Sequence, residues 1–321
     1  MRVAGAILIA ALSGIASAVE PSAQATGWLI QASEAARQAN YQGVVVYRDA
    51  RVMEVLRVVH RSKAGRVQER VTSLTGRPRD ILQEGDRVSY FVGGQPGESM
   101  GSMPHGLFPV LSTETLLEAG SHYQLRDLGE ARVAGRPCHG VVMESRDEFR
   151  YGYEICADRV TAVPLRVSLL DGHGATVEQL LFTEVAFPAQ IPDGAFALPP
   201  GVRAAAREAV VDAPAAAPGW QLVQLPPGFR VVMRSRRVVP GGVVEHVLVS
   251  DGLSAVSVFG APLGGTTHAA SGFAQMGAMN TYARSVGVYR ITVVGEVPQG
   301  TVRLIGDGFR VSQPPQARNA H

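Results

Sequence analysis

The pentapeptide Gly97-Glu98-Ser99-Met100-Gly101 sets a serine between glycines at the spacing of a hydrolase nucleophile elbow. That chemistry needs a strand before the serine and a helix after it, whose N-terminus completes the oxyanion site. A strand pattern does precede Ser99, but Gly101 and Pro104 forbid the helix, so the stretch reads as a loop. The chain's 8 histidines are scattered, none in HExxH or another close ligand spacing. No phosphate-cradling glycine loop opens a helix, and no pair of carboxylates stands out for general acid–base work. The sequence assigns no catalytic residue, no metal ligand and no cofactor. It reads as a binder.

The remaining reactive residues are the chain's 2 cysteines, Cys138 and Cys156, at the ends of CHGVVMESRDEFRYGYEIC. A β-hairpin centred on Asp147 sets Cys138 opposite Cys156. It also sets Glu144 opposite Arg150 and Arg136 opposite Asp158, both pairs of opposite charge. His139, Val141 and Met143 then face Ile155, Tyr153 and Tyr151 on a mostly apolar side, leaving the cysteine side mostly polar. Opposed strand residues are close enough for a disulfide, and an exported chain meets an oxidising compartment. The expectation is a structural disulfide, since the CxxC spacing of a redox pair is absent.

Strand-like alternation surrounds these residues. TGWLIQASEAARQAN has the apolar spacing of an amphipathic helix over 26–40. YQGVVVYRD, MEVLRVVHRS, RVQERVTSL, RDILQEG and RVSYFVGG follow as short strands with Gly, Asp or Pro between them. QPGESMGSMPHGLFPVL is looser; its Met100, Met103, Leu107 and Phe108 are candidates for the mouth of a lipid site, because methionine adapts to varied apolar ligands. A short helix capped by Ser112 or Thr113 is expected next. After the cysteine hairpin, VPLRVSLL and ATVEQLLFTEV form another hairpin, joined by Asp171-Gly172-His173-Gly174. Beyond an Ala/Pro-rich stretch the strands return with FRVVMRSRRV, EHVLVSDG and LSAVSVFGAP. A helix is expected near FAQMGAMNTYARS, then a strand at YRITVVGEVP and a short helix at TVRLIGDGF.

The chain starts MRVAGAILIAALSGIASA, a charged start, an apolar run and an Ala-Ser-Ala exit, as in a signal peptide cleaved after Ala18. The organisation expected is a signal peptide over 1–18, a large domain over 19–200, a linker over 201–219, a small domain over 220–312 and a tail over 313–321. The fold class is α+β: an unclosed antiparallel β-barrel packed on helices, followed by a smaller α+β domain. The net charge of +2, or +1 once Arg2 is removed, argues against nucleic acid as a partner. Lys63 is the sole lysine in a chain otherwise basic through arginine; arginine grips phosphate in bidentate fashion, as an anionic lipid headgroup would offer, but a GC-rich genome would produce the same excess.

NYQGVVVYRD, RVVHRS, ERVTSLTGRPRDI, RVAGRP and YGYEICADRVTAVPLRVSLLDGHGATVEQLLFTEV resemble the MucB/RseB family of sigma-factor regulators. So do LPPGFRV, HVLVSDGLSAVSVF, GAMNTYAR and ITVVGEVPQGTVRLI in the second part of the chain. The resemblance covers nearly the whole chain beyond the signal peptide, in order. It implies a first domain like the lipoprotein carriers LolA and LolB, and a periplasmic location. It implies binding to the periplasmic part of a MucA/RseA-like membrane anti-sigma factor, which is thereby shielded from proteolysis. Release by lipopolysaccharide or another acyl lipid is also implied, and a homodimer is left open. Arg234, Arg236 and Arg237 are candidates for meeting an acidic partner, and HVLVSDG for accepting one as an added edge strand. The alternative is a periplasmic carrier of lipid or lipoprotein; a carrier has no need of the second domain.

Overall fold

The computed structural model describes residues 23–85, 87–93, 95–96, 114–116, 120–197, 219–239, 242–263 and 271–311. The stretches expected to be the signal peptide, the loop around Ser99, the linker and the tail lie outside them, as do the lipid-mouth candidates Met100, Met103, Leu107 and Phe108. Of the helix expected after Ser112, residues 114–116 are described and helical.

Helix α1 (Ala23–Gln38) comes first, its stripe of Ala25, Leu29, Ala32, Ser33 and Ala36 buried at near-helical spacing. The strands of the first unit are β1 (Tyr41–Asp49), β2 (Met53–Lys63), β3 (Arg66–Ser73), β4 (Arg79–Glu84), β5 (Arg87–Val92) and β6 (Gln95–Pro96). They continue with β7 (Tyr123–Val133), β8 (Arg136–Ser145), β9 (Gly152–Asp158), β10 (Pro164–Leu170) and β11 (Thr176–Ala186). They form an 11-stranded antiparallel sheet in the order β6-β5-β4-β3-β2-β1-β11-β10-β9-β8-β7. Every join in the sheet is between strands consecutive in the chain except one, where the first strand zips against the last: Tyr47 lies opposite Leu180. The edges β6 and β7 do not pair with each other, so the barrel stays open. The sheet wraps the apolar face of α1, and Leu29, Tyr41, Val58, Met143, Leu165 and Phe182 share one core. Trp28 fastens the helix by donating Nε1–H to the His139 carbonyl at 3.2 Å.

The disulfide is present, with Cα atoms 5.5 Å apart. The strand register differs from the one read off the sequence. Cys138 lies opposite Asp158 and Cys156 opposite Gly140, so the bond runs diagonally. A slip of two residues keeps every side chain on its face, and so alternation and sulfur placement could not reveal it. Arg136 still reaches Asp158 at 2.6 Å, as a diagonal neighbour. Glu144, however, pairs with Arg126 on β7, and Arg150 turns instead to Asp147 in the turn and to Asp251 of the second unit. Nor is the cysteine side polar: both sulfurs belong to the core.

The second unit contains β12 (Trp220–Leu222), β13 (Arg230–Val239), β14 (Gly242–Ser250), β15 (Ala255–Pro262), β16 (Gly272–Met276), β17 (Met279–Val286) and β18 (Tyr289–Gly295). Helix α2 (Gln299–Asp307) and β19 (Phe309–Val311) complete it. A 6-stranded antiparallel sheet in the order β13-β14-β15-β18-β17-β16 packs one face on α2, while β12 pairs with β19. Trp220, fully buried, stacks on Phe309 at 4.7 Å. Gly260 is what admits its ring, since a Cβ there would lie 2.6 Å from the indole nitrogen.

The helix expected near FAQMGAMNTYARS is instead the hairpin β16–β17. Its apolar residues fit either period, and a two-residue turn beginning at Gly277, with φ +58°, decides for strands. The short helix expected at TVRLIGDGF is α2.

Candidate partner-binding surface

Among the described residues the β13 strand is an edge of the small sheet. Such a strand can accept an extended peptide as a further strand, through its outward backbone groups. Val231, Met233 and their neighbours pair with β14 on one side, with a bulge between Val231 and Met233. Val232 and Met233 remain 47% and 41% exposed, so the edge offers apolar as well as backbone contact.

The structure divides the three arginines predicted to act together. Arg236 lies opposite Glu245 and is held by it, with Nη2 at 2.7 Å and Nε at 3.1 Å from one carboxylate oxygen. Arg234 is two residues along on the same face and exposed. Arg237 is one residue further along and lies on the opposite face with His246, which stacks on Phe259 at 4.5 Å. Burial, and then the charge of Arg237, lower the His246 pKa, so this ring is neutral at pH 7. Arg234 and Arg237 are therefore the more available cations, and they flank the strand rather than forming a single patch.

HVLVSDG is not an edge. It lies in β14, with β13 on one side and β15 on the other, and cannot add a strand. Sequence alternation marks a strand but carries nothing about its neighbours. The second edge is β16, exposed along its whole length, where Phe273 stacks on Tyr282 at 4.7 Å.

In the large unit, the tips of the β2–β3 and β4–β5 hairpins bound a cleft lined by Lys63, Arg66, Val67, Gln68, Glu84, Gly85 and Arg87. That lining suits polar groups rather than acyl chains. Among the described residues no group of three His, Cys, Asp or Glu side chains converges as a metal site.

An unclosed antiparallel sheet around a helix, joined to a small open-edged sheet with its own helix, is the architecture of a two-domain binding scaffold. The match to family models is over both units. Residues 24–199 match the MucB/RseB N-terminal domain and residues 214–310 the MucB/RseB C-terminal domain. The chain belongs to the MucB/RseB family. It is 33% identical over 302 residues to the sigma factor AlgU regulatory protein MucB of Pseudomonas aeruginosa, covering 90% of this chain and 92% of that one. Against the sigma-E factor regulatory protein RseB of Salmonella typhimurium it is 30% identical over 317 residues, covering 95% and 96%. The solved Pseudomonas aeruginosa MucA/MucB complex superposes with a TM-score of 0.72 at 29% identity, over 91% of this chain and all of that one. A solved MucB in complex with MucA(peri) gives 0.70 at 28% identity, over 90% of this chain and 100% of that one.

Proposed function

We propose that this protein is an exported, non-enzymatic regulator that grips the periplasmic segment of a membrane-bound, MucA/RseA-like anti-sigma factor and protects it from proteolysis. Binding of lipopolysaccharide or another acyl lipid releases the grip. The observation that carries this reading is similarity over both domains to MucB, a protein solved in complex with MucA(peri). Export after cleavage at Ala18 is supported by the disulfide, which belongs to an oxidising compartment. Within the small domain, the β13 edge with Arg234 and Arg237 suits an extended acidic segment: backbone pairing supplies affinity and the two cations supply register. A lipid can loosen that grip only by binding the released state more tightly than the gripping one.

The test is binding of the mature chain to the periplasmic segment of its own organism's anti-sigma factor, with and without a lipopolysaccharide fragment. Tight binding that the fragment weakens is expected. Reversing Arg234 and Arg237 together to Glu should weaken it by tenfold or more, mostly through association rate and salt dependence. No binding under either condition, with acyl chains still extracted from the protein, would favour a lipid carrier instead.

A further inference from the structure

The tips of the β2–β3 and β4–β5 hairpins carry a basic surface that the grip on a protein partner does not use. Strand register puts its residues on one face of the large sheet. Arg61 lies opposite Gln68, Gln68 opposite Glu84, and Glu84 opposite Arg87, in one row across four strands. Lys63 and Arg66 form the next row towards the tips. Opposed residues share a face, and three strand spacings are about 14 Å, so these side chains meet over one small area. The cleft there has a volume of about 310 Å³, at the small end of ligand sites, which run to roughly 300–1,000 Å³.

The charges in this area do not cancel. Arg61 donates to Gln68 Oε1 at 2.6 Å, to the Ile191 carbonyl at 2.7 Å and to Asp193 at 2.5 Å, so Arg61 and Asp193 offset each other. Glu84 accepts from Gln68 Nε2 at 3.2 Å. Lys63 reaches only the shared Asp193, at 3.7 Å, and both side chains are exposed. Among the described residues Arg66 and Arg87 have no ion-pair partner. Asp86, next to Arg87 in the chain, lies outside the described residues. The lining thus sets Lys63, Arg66 and Arg87 against one carboxylate, Glu84. Lys63 and Arg66 also oppose each other across a tight turn, a like-charge pairing that costs stability. Folds break such local rules mainly where a site needs the charge.

We infer that this cleft binds a phosphate group, with Arg66 and Arg87 gripping its oxygens through their forked N–H groups and Lys63 adding a point charge. Guanidinium forks match phosphate oxygens two at a time, as an ammonium does not. Val67 is the lining's only large apolar side chain, so recognition is of the phosphate rather than of an acyl chain. A lipid headgroup and a free phosphate offer that same chemistry.

The cleft is remote from the seam between the domains. In that seam the Ala278 N–H donates to Glu178 Oε2 at 3.0 Å, and a Cβ on Gly277 would stand 2.6 Å from the Tyr47 hydroxyl. Asn280 donates there to the Tyr151 hydroxyl at 3.1 Å, and Thr301 to the Phe149 carbonyl at 2.8 Å. Met53 lies opposite Arg48, at the seam end of β1, and from it β2 runs about 33 Å to Lys63. The inference is independent of which partner the protein binds.

Lys63 is the chain's sole lysine, which makes the cleft visible by itself. In the full mature chain, reductive methylation with isotope-labelled formaldehyde gives Lys63 a methyl resonance distinct from that of the terminal amine. Two probes are titrated: inorganic phosphate, against chloride at equal ionic strength, and mixed phosphatidylglycerol–phosphatidylcholine vesicles, against phosphatidylcholine alone. A saturable change in the Lys63 resonance is expected. Phosphate alone producing it supports the site with a soluble phosphate as its source, and vesicles alone support it with a lipid headgroup. Arg66→Gln with Arg87→Gln should weaken the response at least about tenfold, since a hydrogen bond to a charged group contributes a factor of that order. Arg51→Gln with Arg132→Gln removes the same charge from exposed positions elsewhere and should leave the response unchanged. No saturable response to either probe, a response intact in Arg66→Gln with Arg87→Gln, or equal losses in the two double variants would overturn the site.

Discussion

Replacing Arg150 by Met probes the strongest single tie between the domains. The side chain is wholly buried and donates to Asp251 Oδ2 at 2.5 Å, to Asp147 Oδ1 at 3.0 Å and to the Pro227 carbonyl at 2.5 Å. Its guanidinium carbon lies 5.0 Å from the centre of the Phe229 ring. Asp251, equally buried, uses its other oxygen to accept from the Leu253 and Ser254 N–H groups at 2.9 and 2.7 Å. Methionine preserves much of the packing volume but leaves Asp251 Oδ2 and the Pro227 carbonyl without their donor. Removing one partner of a buried ion pair costs about 3–5 kcal/mol, because the other charge stays desolvated. Asp251→Asn should cost less, about 1–3 kcal/mol, since its amide oxygen can still accept from the loop.

The chain's 2 tryptophans make this measurable, Trp28 lying in the large domain and Trp220 in the small one. In a Trp28→Phe background the remaining indole reports the small domain, and far-ultraviolet dichroism reports the whole. A loss of 3 kcal/mol corresponds to a urea midpoint lower by roughly 1–3 M. The Trp220 transition should also separate from the dichroic one as the domains uncouple. An Arg150→Met protein within about 1 kcal/mol of native, with the two transitions still coincident, would refute the reasoning. The seam would then be held by its apolar and neutral contacts, with the Coulombic gain of the pair cancelled by desolvation.

Two further outcomes follow from named contacts. Replacing Cys138 and Cys156 together by Ala should lower stability by about 3 kcal/mol, as expected for a short loop closed by a disulfide; equal urea midpoints with and without the bond would contradict this. Gly277→Ala should cost about 1–3 kcal/mol, because the turn requires a positive φ and the new methyl would meet Tyr47 and Glu178. Most of that loss should appear in the Trp220 transition, and a neutral result would mean that the hairpin tip does not dock as described.

Local pattern carried a great deal of this protein. Alternation placed β1 to β5 almost residue for residue, because a strand buried on one face must show a period of two. The Asp171 turn was equally legible: the side chain that makes Asp a turn residue accepts from the His173 and Ala175 N–H groups at 2.8 and 2.9 Å. The two cysteines, in a chain whose start reads as an export signal, announced their bond, and the order of family-like segments announced both domains.

What the sequence could not show was which strand lies beside which. The register of the cysteine hairpin slipped by two without any change of face, and HVLVSDG went to the interior of its sheet. FAQMGAMNTYARS kept the apolar spacing of a helix until its partner strand and a glycine turn claimed it. The seam was the least legible feature. Arg150 meets Asp251 across 101 residues of chain, and Glu178 meets Ala278 across 100. A charged residue in a hairpin and a carboxylate in a strand look like ordinary surface groups until tertiary packing removes their water. Burial then decides what they do, since a guanidinium that would be a solvated charge on an open face becomes a buried tie to Asp251 in the second domain.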